Sequence, residues 1–400
     1  MRILVQKFGG TSVATESSRE HVYKKIEEAV DSGYSLVVVV SAMGRNGDPY
    51  ATDTLLNLIK KEYPFASKRE LDVIFSCGEN ISGAIIASNL QKRGYKSVYL
   101  SGAQAGIITN ENYADARITR VENDRIVNLL KEGNIVVAGG GQGISEKGDI
   151  TTLGRGGSDT TACALGAALG AYEVDIYTDV EGIMTADPRK VKDAVLLDEI
   201  SYEDCCTLAN MGAKVIHPRA VETAMKEPKT KLYVKSTFSS HPGTLICDES
   251  LEKDKLKLVG VTGSDNIIFG KIKSREYNPL KGILDGLKSE DYKMYYKEGA
   301  IIITTDAKNF KAAEKLIDDR GFIIDECQNI AEISIVGSNI LQYPEFHDDL
   351  INRMKDENIS YNLCVTADRY VSLLVSNENY NKTLNLLHEF IVNQFDKVLG

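Results

Sequence analysis

The chain contains no C-x-x-C pair, and its seven cysteines (Cys77, Cys163, Cys205, Cys206, Cys247, Cys327, Cys364) are odd in number and scattered. Neither a disulfide framework nor a thiolate zinc site is indicated, and a reducing cytoplasm is the natural setting. The five histidines (His21, His217, His241, His347, His388) show no metal-ligating spacing, and no Ser-His-Asp or Cys-His constellation is evident. Basic charge is also scarce: 47 Lys plus Arg face 57 Asp plus Glu, for a net charge of −10. An acidic chain lacks the sequence-independent attraction that dominates binding to polyphosphate backbones, so nucleic acid is not an expected partner. No apolar run approaches the roughly 20 residues of a membrane span. The apolar N-terminal stretch, interrupted at Gly9 and Gly10, is too short for a signal peptide. Neither membrane insertion nor export is expected.

What is present is a globular composition, 43% hydrophobic and 26% charged over 400 residues, enough for two or three domains. Short β-branched runs, near-continuously apolar, lie at 3–8, 36–40, 98–100, 135–138 and 174–178. Such runs mark strands buried on both faces. Between them, 17–32, 52–61, 79–94, 116–132 and 158–170 carry apolar residues at helical spacing. The alternation predicts a mostly parallel sheet between helical layers, with ligands at the carboxyl ends of the strands.

Near Ser239-Ser240-His241-Pro242-Gly243 the texture changes, and the charged run 248–257 reads as an exposed connector. Beyond it, Ile302 to Asp306 with its following helix matches Leu373 to Asn377 at a constant offset of 373 − 302 = 71 residues. Each unit reads as strand, helix, hairpin, helix, final strand, a ferredoxin-like α+β arrangement. The expected organisation is a catalytic domain over 1–245, a linker over 246–256, and two tandem modules over 257–328 and 329–400 that intertwine.

Four glycine-bearing strand ends carry the chemistry. In Lys7-Phe8-Gly9-Gly10-Thr11-Ser12 a lysine closes a buried strand, and the glycines let backbone N–H groups approach an anion. The order is wrong for a nucleoside-triphosphate P-loop, where the lysine follows the glycines. Thr152-Leu153-Gly154-Arg155-Gly156-Gly157-Ser158-Asp159 opens a helix with amides and a dipole suited to an anion, and Arg155 offers a fork for a carboxylate. Thr178-Asp179-Val180 through Met184 to Asp187-Pro188-Arg189 supplies donors for a ribose and a cation for a phosphate, and Gly212-Ala213-Lys214 adds a lysine. With the acids Glu79 and Asp159, this inventory suits phosphoryl transfer, where catalysis is mostly positioning and charge neutralisation.

These motifs, with Val40-Ser41-Ala42, Ser76-Cys77-Gly78-Glu79 and Gln104-Ala105-Gly106-Ile107, occur in the order and approximate spacing of aspartate kinases. The chain resembles that family along essentially its whole length, including two C-terminal ACT modules. Through Ser41-Ala42-Met43-Gly44-Arg45-Asn46-Gly47-Asp48-Pro49-Tyr50-Ala51-Thr52-Asp53 it looks most like the monofunctional, diaminopimelate-sensitive branch of spore-forming Gram-positive bacteria. The resemblance implies an amino-acid-kinase fold and the Mg2+-dependent conversion of ATP and L-aspartate to ADP and 4-phospho-L-aspartate. That reaction is the first step of lysine/diaminopimelate, threonine and methionine biosynthesis.

Carried over by position, the resemblance implies that Lys7, Asp159 and Lys214 are catalytic, with Lys7 on the transferring phosphoryl group, Lys214 on the leaving side and Asp159 holding the lysines. Arg155 would grip the α-carboxylate of aspartate and Glu79 would face its ammonium, with Ser41, Thr52 and Ser158 completing the pocket. Gly9, Gly10, Thr178, Asp179, Met184 and Arg189 would serve ATP. No residue is assigned to a metal. An amino-acid effector (lysine, threonine or diaminopimelate) at the ACT modules and at least a homodimer are further implications.

Two departures stand out. Gly140-Gly141-Gln142-Gly143 lacks the family's usual aromatic, which predicts a more mobile loop. Ser274 to Asn278 and Asn362 to Asp368 match familiar effector loops only loosely. The alternatives are a kinase for another carboxylate, such as N-acetylglutamate or glutamate, and a catalytically idle amino-acid sensor.

Overall fold

The computed structural model describes all residues except 227–229, 249–254, 274–291, 298–299, 320–323 and 399–400. The core of the connector 248–257 and the stretch Ser274 to Asn278 therefore lie outside the described residues. The chain packs as two compact units. The first is Met1–Ile183, Leu196–Ala209 and Lys214–Ser250; the second is Met184–Val195, Asn210–Ala213 and Leu251–Gly400.

The first unit holds strands β1 (Ile3–Phe8), β2 (Ser35–Val40), β3 (Ser97–Leu100), β4 (Ile107–Thr109), β5 (Ile118–Val121), β6 (Ile135–Gly139), β7 (Gln142–Ser145), β8 (Ile150–Thr152), β9 (Glu173–Thr178), β10 (Glu199–Ser201), β11 (Lys231–Ser236) and β12 (Thr244–Cys247). Eight of them form one sheet in the order β10-β12-β11-β9-β1-β2-β6-β3, parallel except for the β11–β12 pair. The near-continuously apolar runs occupy its middle, where β1 is buried at every residue, Gln6 and Lys7 included. Helix Glu16–Asp31 packs Val22, Tyr23 and Ile26 against Leu4, Phe8, Val38 and Val40, and helix Lys68–Lys92 adds Ile86 and Leu90 to the same cluster.

The register levels the strand ends: Phe8 pairs with Val40 and Tyr177, and Val40 pairs with Gly139. From β1 the chain runs to β2 on one side, and from β9 it runs to β10 and β11 on the other, so the neighbours β1 and β9 form a topological switch point, at whose carboxyl end a ligand of an open α/β sheet sits.

Two local expectations change. Residues 116–132 are not one helix: Ile118–Val121 is a strand paired with β4 in a small sheet of order β5-β4-β7-β8, and only Asp124–Lys131 is helical. The β-branched Ile118, Thr119 and Val121 favour extended backbone over the helical spacing their neighbours suggest. The helix expected from 79 begins at Lys68, capped by Ser67, whose side chain accepts from the Glu70 N–H. Its first half buries Asp72, Ser76, Gly78, Glu79, Ser82 and Gly83, a polar and small stripe that hides the apolar period.

The second unit is an antiparallel sheet of order β14-β15-β13-β16-β18-β17, from β13 (Lys257–Lys273), β14 (Tyr292–Lys297), β15 (Ala300–Asp306), β16 (Ile324–Ser338), β17 (Tyr361–Thr366) and β18 (Tyr370–Ser376). The repeated segments take equivalent places: β15 and β18 each precede a helix, and each lies beside one of the long strands. Those long strands serve both halves. Ile267–Lys273 of β13 pairs with β15, whereas Lys257–Ser264 pairs with the part of β16 that continues to β18. The final strand expected after helix Tyr380–Val398 is absent among the described residues, and Lys257–Ser264, far earlier in the chain, fills that place.

Segment Met184–Val195 is built into this unit. Ala186 and Val191 join its core with Val261, Ile333 and Leu373. Thr185 Oγ1 lies 2.8 Å from Nε2 of the buried His388, and Lys190 Nζ donates to Tyr380 Oη at 3.0 Å.

Candidate functional site

At the carboxyl end of β1, Lys7 turns its side chain to the first turn of helix Gly157–Leu169. Its Nζ lies 2.6 Å from Asp159 Oδ1, with side chains 10% and 11% exposed. Asp159 is thus an ion-pair partner of Lys7. Capping does not explain it, because the N-cap is Gly156, in the left-handed region at φ 64°, with no side-chain cap bond. The Gly9 N–H points at Tyr177 O at 3.4 Å, and Gly10 opens the short helix Gly10–Val13. A Cβ at Gly10 would lie 2.8 Å from the carbonyls of Ala42 and Gly44, so only glycine allows this approach of two strand-end loops.

The loop after β2 carries Ser41, whose Oγ donates to Ser158 Oγ at 2.9 Å, and Ala42, whose N–H donates to Glu79 Oε1 at 3.2 Å. Glu79 is 3% exposed, and its Oε2 has no hydrogen-bond partner. Burial pushes its carboxyl up to about 8, against a smaller opposite effect of backbone N–H bonds. Helix Lys68–Lys92 reaches this loop because Gly78 has no side chain: a Cβ there would meet Ala42 Cβ at 2.7 Å and Tyr50 O at 3.2 Å. Thr52, half-buried, starts the next helix at that contact.

The loop Gly140-Gly141, expected to be loosened by its missing aromatic, is tied at both polar groups. The Gly141 N–H donates to Thr161 Oγ1 at 3.0 Å, and its carbonyl accepts from the Leu153 N–H at 2.9 Å. Its φ of 69° lies where glycine is favoured.

Arg155 is exposed at the tip of the glycine loop. Lys214 is exposed as well, and the segment it begins returns to this loop: a Cβ on Gly156 would lie 2.1 Å from His217 Cβ, and Arg219 Nη1 donates to Leu153 O at 2.6 Å. At the end of β9, Thr178 Oγ1 accepts from the Val180 N–H at 2.9 Å, and exposed Asp179 meets Arg45 Nη2 at 2.7 Å. Met184 and Arg189 belong to the second unit, where Arg189 is exposed and forks onto Asp187 at 2.9 and 2.8 Å.

Asp72, Asp115, Arg219 and Arg45 escaped the sequence reading. One signal for Asp72 was available: Asp72, Ser76, Glu79 and Gly83 recur at helical spacing. A polar stripe on a face that must be buried marks a site, since isolated buried carboxylates are costly.

Residues 2–236 match the model of the Amino acid kinase family. The chain is 38% identical to Aspartokinase 1 of Bacillus subtilis (strain 168) over 400 residues, covering 97% of this chain and 98% of that protein. Among solved structures it is similar to E. coli aspartokinase III in complex with aspartate and ADP, with a TM-score of 0.81 at 22% identity, covering 97% of this chain and 99% of the other. It is also similar to the same enzyme in complex with lysine and aspartate, with a TM-score of 0.73 at 23% identity and the same coverage.

Proposed function

Since the chain belongs to the amino acid kinase family and, within it, to the aspartokinases, we propose that it carries out its reaction at the carboxyl end of β1. As an aspartokinase it transfers the γ-phosphoryl group of ATP to the β-carboxylate of L-aspartate, a step of amino-acid biosynthesis. The observation that carries the site assignment is the Lys7–Asp159 pair, a buried cation held at 2.6 Å from its carboxylate at the end of the central strand.

In this reading Lys7 stabilises charge on the transferring phosphoryl group, and Asp159 fixes the Lys7 ammonium. Lys214 neutralises the leaving side. Arg155 receives the α-carboxylate of aspartate through its fork, and Ser41, Thr52 and Ser158 line the acceptor. Glu79 Oε2, buried without a partner, is the natural acceptor for the substrate ammonium. The attacking β-carboxylate is ionised near neutral pH, so no strong general base is required. Gly10, Thr178 and Asp179 attend the nucleotide from the strand ends, with Gly9, Met184 and Arg189 assigned to it by family position. Among the described residues no group of three or more His, Cys, Asp or Glu is placed to hold a metal. Mg2+ would therefore be held mainly by the nucleotide's phosphates and by water, as is usual for this ion.

The regulatory reading rests on the second unit. We propose that an amino-acid effector such as lysine, threonine or diaminopimelate binds there, a reading supported by the existence of a lysine complex of E. coli aspartokinase III, and that the chain assembles at least as a homodimer through this unit. No described helix is long and apolar enough to cross a membrane.

ADP release measured with L-aspartate, L-glutamate and N-acetyl-L-glutamate tests the activity. Turnover with aspartate is expected and none with N-acetylglutamate, because Glu79 and Arg155 together suit a free α-amino acid, and aspartate is expected over glutamate because the chain is an aspartokinase. A preference for N-acetylglutamate, or no turnover at all, would overturn the reading. The same assay with the three effectors, singly and in pairs, tests regulation, and light scattering tests assembly.

A further inference from the structure

Two buried polar groups that the proposed reaction does not use converge on the base of the Arg155 loop. Asp72, 1% exposed, accepts from the Thr152 N–H at 2.9 Å, from Thr152 Oγ1 at 2.5 Å and from the Ala114 N–H at 3.0 Å. Arg219, its side chain 9% exposed, donates to Leu153 O at 2.6 Å and to Asp115 Oδ1 at 2.8 Å. Two further main-chain bonds complete the set: the Ala116 N–H donates to Thr152 O at 2.8 Å, and the Leu153 N–H to Gly141 O at 2.9 Å. Every backbone polar group of Thr152 and Leu153 is thereby occupied, immediately ahead of Gly154 and Arg155.

The floor of the loop is equally constrained. Ala114 sits at φ 66°, a conformation that a non-glycine residue keeps only when its surroundings over-determine it. Asp72 holds its N–H, and its carbonyl lies where a Cβ on Gly154 would come within 2.9 Å.

We propose that Asp72 and Arg219 are positioning residues that lock the Arg155 loop and so set the enzyme's affinity for the α-carboxylate of its substrate, without touching the substrate. The carboxylate of Asp72 is required as an acceptor-only group, since all its neighbours donate; an amide in its place would turn a donor against a donor. Arg219 is required as a fork, because its two terminal nitrogens hold Leu153 O and Asp115 Oδ1 separately, a planar geometry an ammonium does not reproduce. The proposal rests on the assignment of Arg155 made above.

Asp72→Asn, Arg219→Lys and Arg155→Ala, each in the full chain, are compared by steady-state kinetics. Asp72→Asn and Arg219→Lys are each expected to raise the aspartate KM by about tenfold, the scale of one charge-assisted bond, with kcat and the ATP KM within about twofold. In the Arg155→Ala background, Arg219→Lys should add almost nothing, because a positioning residue acts only through the group it positions. Thr152→Val, which removes one bond to Asp72 and keeps the main-chain bonds, provides the same readout if a charge variant does not fold. An unchanged aspartate KM in the folded variants, an ATP KM that rises in step, or an undiminished Arg219→Lys effect without Arg155 would each overturn the proposal. If Arg155→Ala itself leaves the aspartate KM unaltered, the site assignment falls and takes the proposal with it. If Arg155→Ala weakens aspartate while Asp72→Asn and Arg219→Lys do not, the proposal alone falls.

Discussion

Lys7 Nζ, at the end of the central strand, and Asp159 Oδ1, in the first turn of a helix far along the chain, are 2.6 Å apart and almost fully buried. Such a pair is costly to break from one side, because the remaining charge is left without a partner. Lys7→Ala is therefore expected to cut turnover by at least roughly 10²–10³-fold, the scale of losing one preorganised transition-state donor. Aspartate binding should survive, and unfolding should become easier by about 3–5 kcal/mol. Turnover at saturating substrates and denaturant titration check the two halves; unchanged turnover would remove Lys7 from the mechanism.

Glu79 predicts a pH dependence. Its carboxyl, raised by burial to about 8, is largely protonated in the free enzyme at pH 7. An ammonium on Oε2 requires the ionised form, so aspartate should bind more tightly as pH rises from 7, flattening above about 8. Glu79→Gln should abolish that slope along with most of the affinity. The stability sign is opposite: the folded state holds a proton that the unfolded state releases above its ordinary carboxylate range, so stability falls as pH rises toward 8. Glu79→Gln should raise the melting temperature at pH 8 and leave it nearly unchanged at pH 4.

Gly156→Ala tests the packing behind the loop. The position has φ 64°, and an added Cβ would sit 2.1 Å from His217 Cβ. Strain and clash together should cost at least about 2–3 kcal/mol and displace Arg155. A variant with wild-type melting temperature and aspartate KM would show that the segment from Lys214 does not brace this loop.

Asp179 separates structure from nucleotide binding. Its ion pair with Arg45 is solvent-exposed on both sides, and such pairs contribute roughly 0–1 kcal/mol. Asp179→Asn should leave the melting temperature almost unmoved while raising the ATP KM several-fold. An unaltered ATP KM would take Asp179 out of the nucleotide site.

His388 gives a second pH signature, in the other unit. Burial lowers its basicity, with Asp193 acting weakly in the opposite sense, and its Nε2 is paired with Thr185 Oγ1. The folded state therefore binds fewer protons than the unfolded one just below the ordinary histidine range, and stability should fall as pH drops through about 6.5. His388→Gln should remove that component, so the stability difference between wild type and variant should change between pH 5 and 7; a pH-independent difference would contradict it.

The parallel sheet could be read from the chain because its middle strands are predominantly apolar and do not alternate, a pattern that two-sided burial explains. Arg155 could be singled out because helix capping does not account for an arginine enclosed by three glycines, whereas Lys7 and Asp159 stood out through the family resemblance. Helix Lys68–Lys92 was half missed because its site-facing stripe is polar, and 116–132 was misread because a short strand with two charged neighbours carries little periodicity. The repeat of 71 residues was visible and its halves were expected to intertwine, yet which strand pairs with which was not legible. Pairing partners are set by sheet closure, and the local pattern is the same whichever strand lies alongside.

The sequence alone determined the middle strands of the parallel sheet, the chemistry available at the strand ends and the family they belong to, since these depend on residue type and short-range spacing. Tertiary structure decided which charges meet. Asp72 reaches Thr152, Arg219 reaches Leu153 and Asp115, and Glu79 keeps one oxygen unpaired, because long-range packing fixes both the distances and the loss of water that give those groups their force.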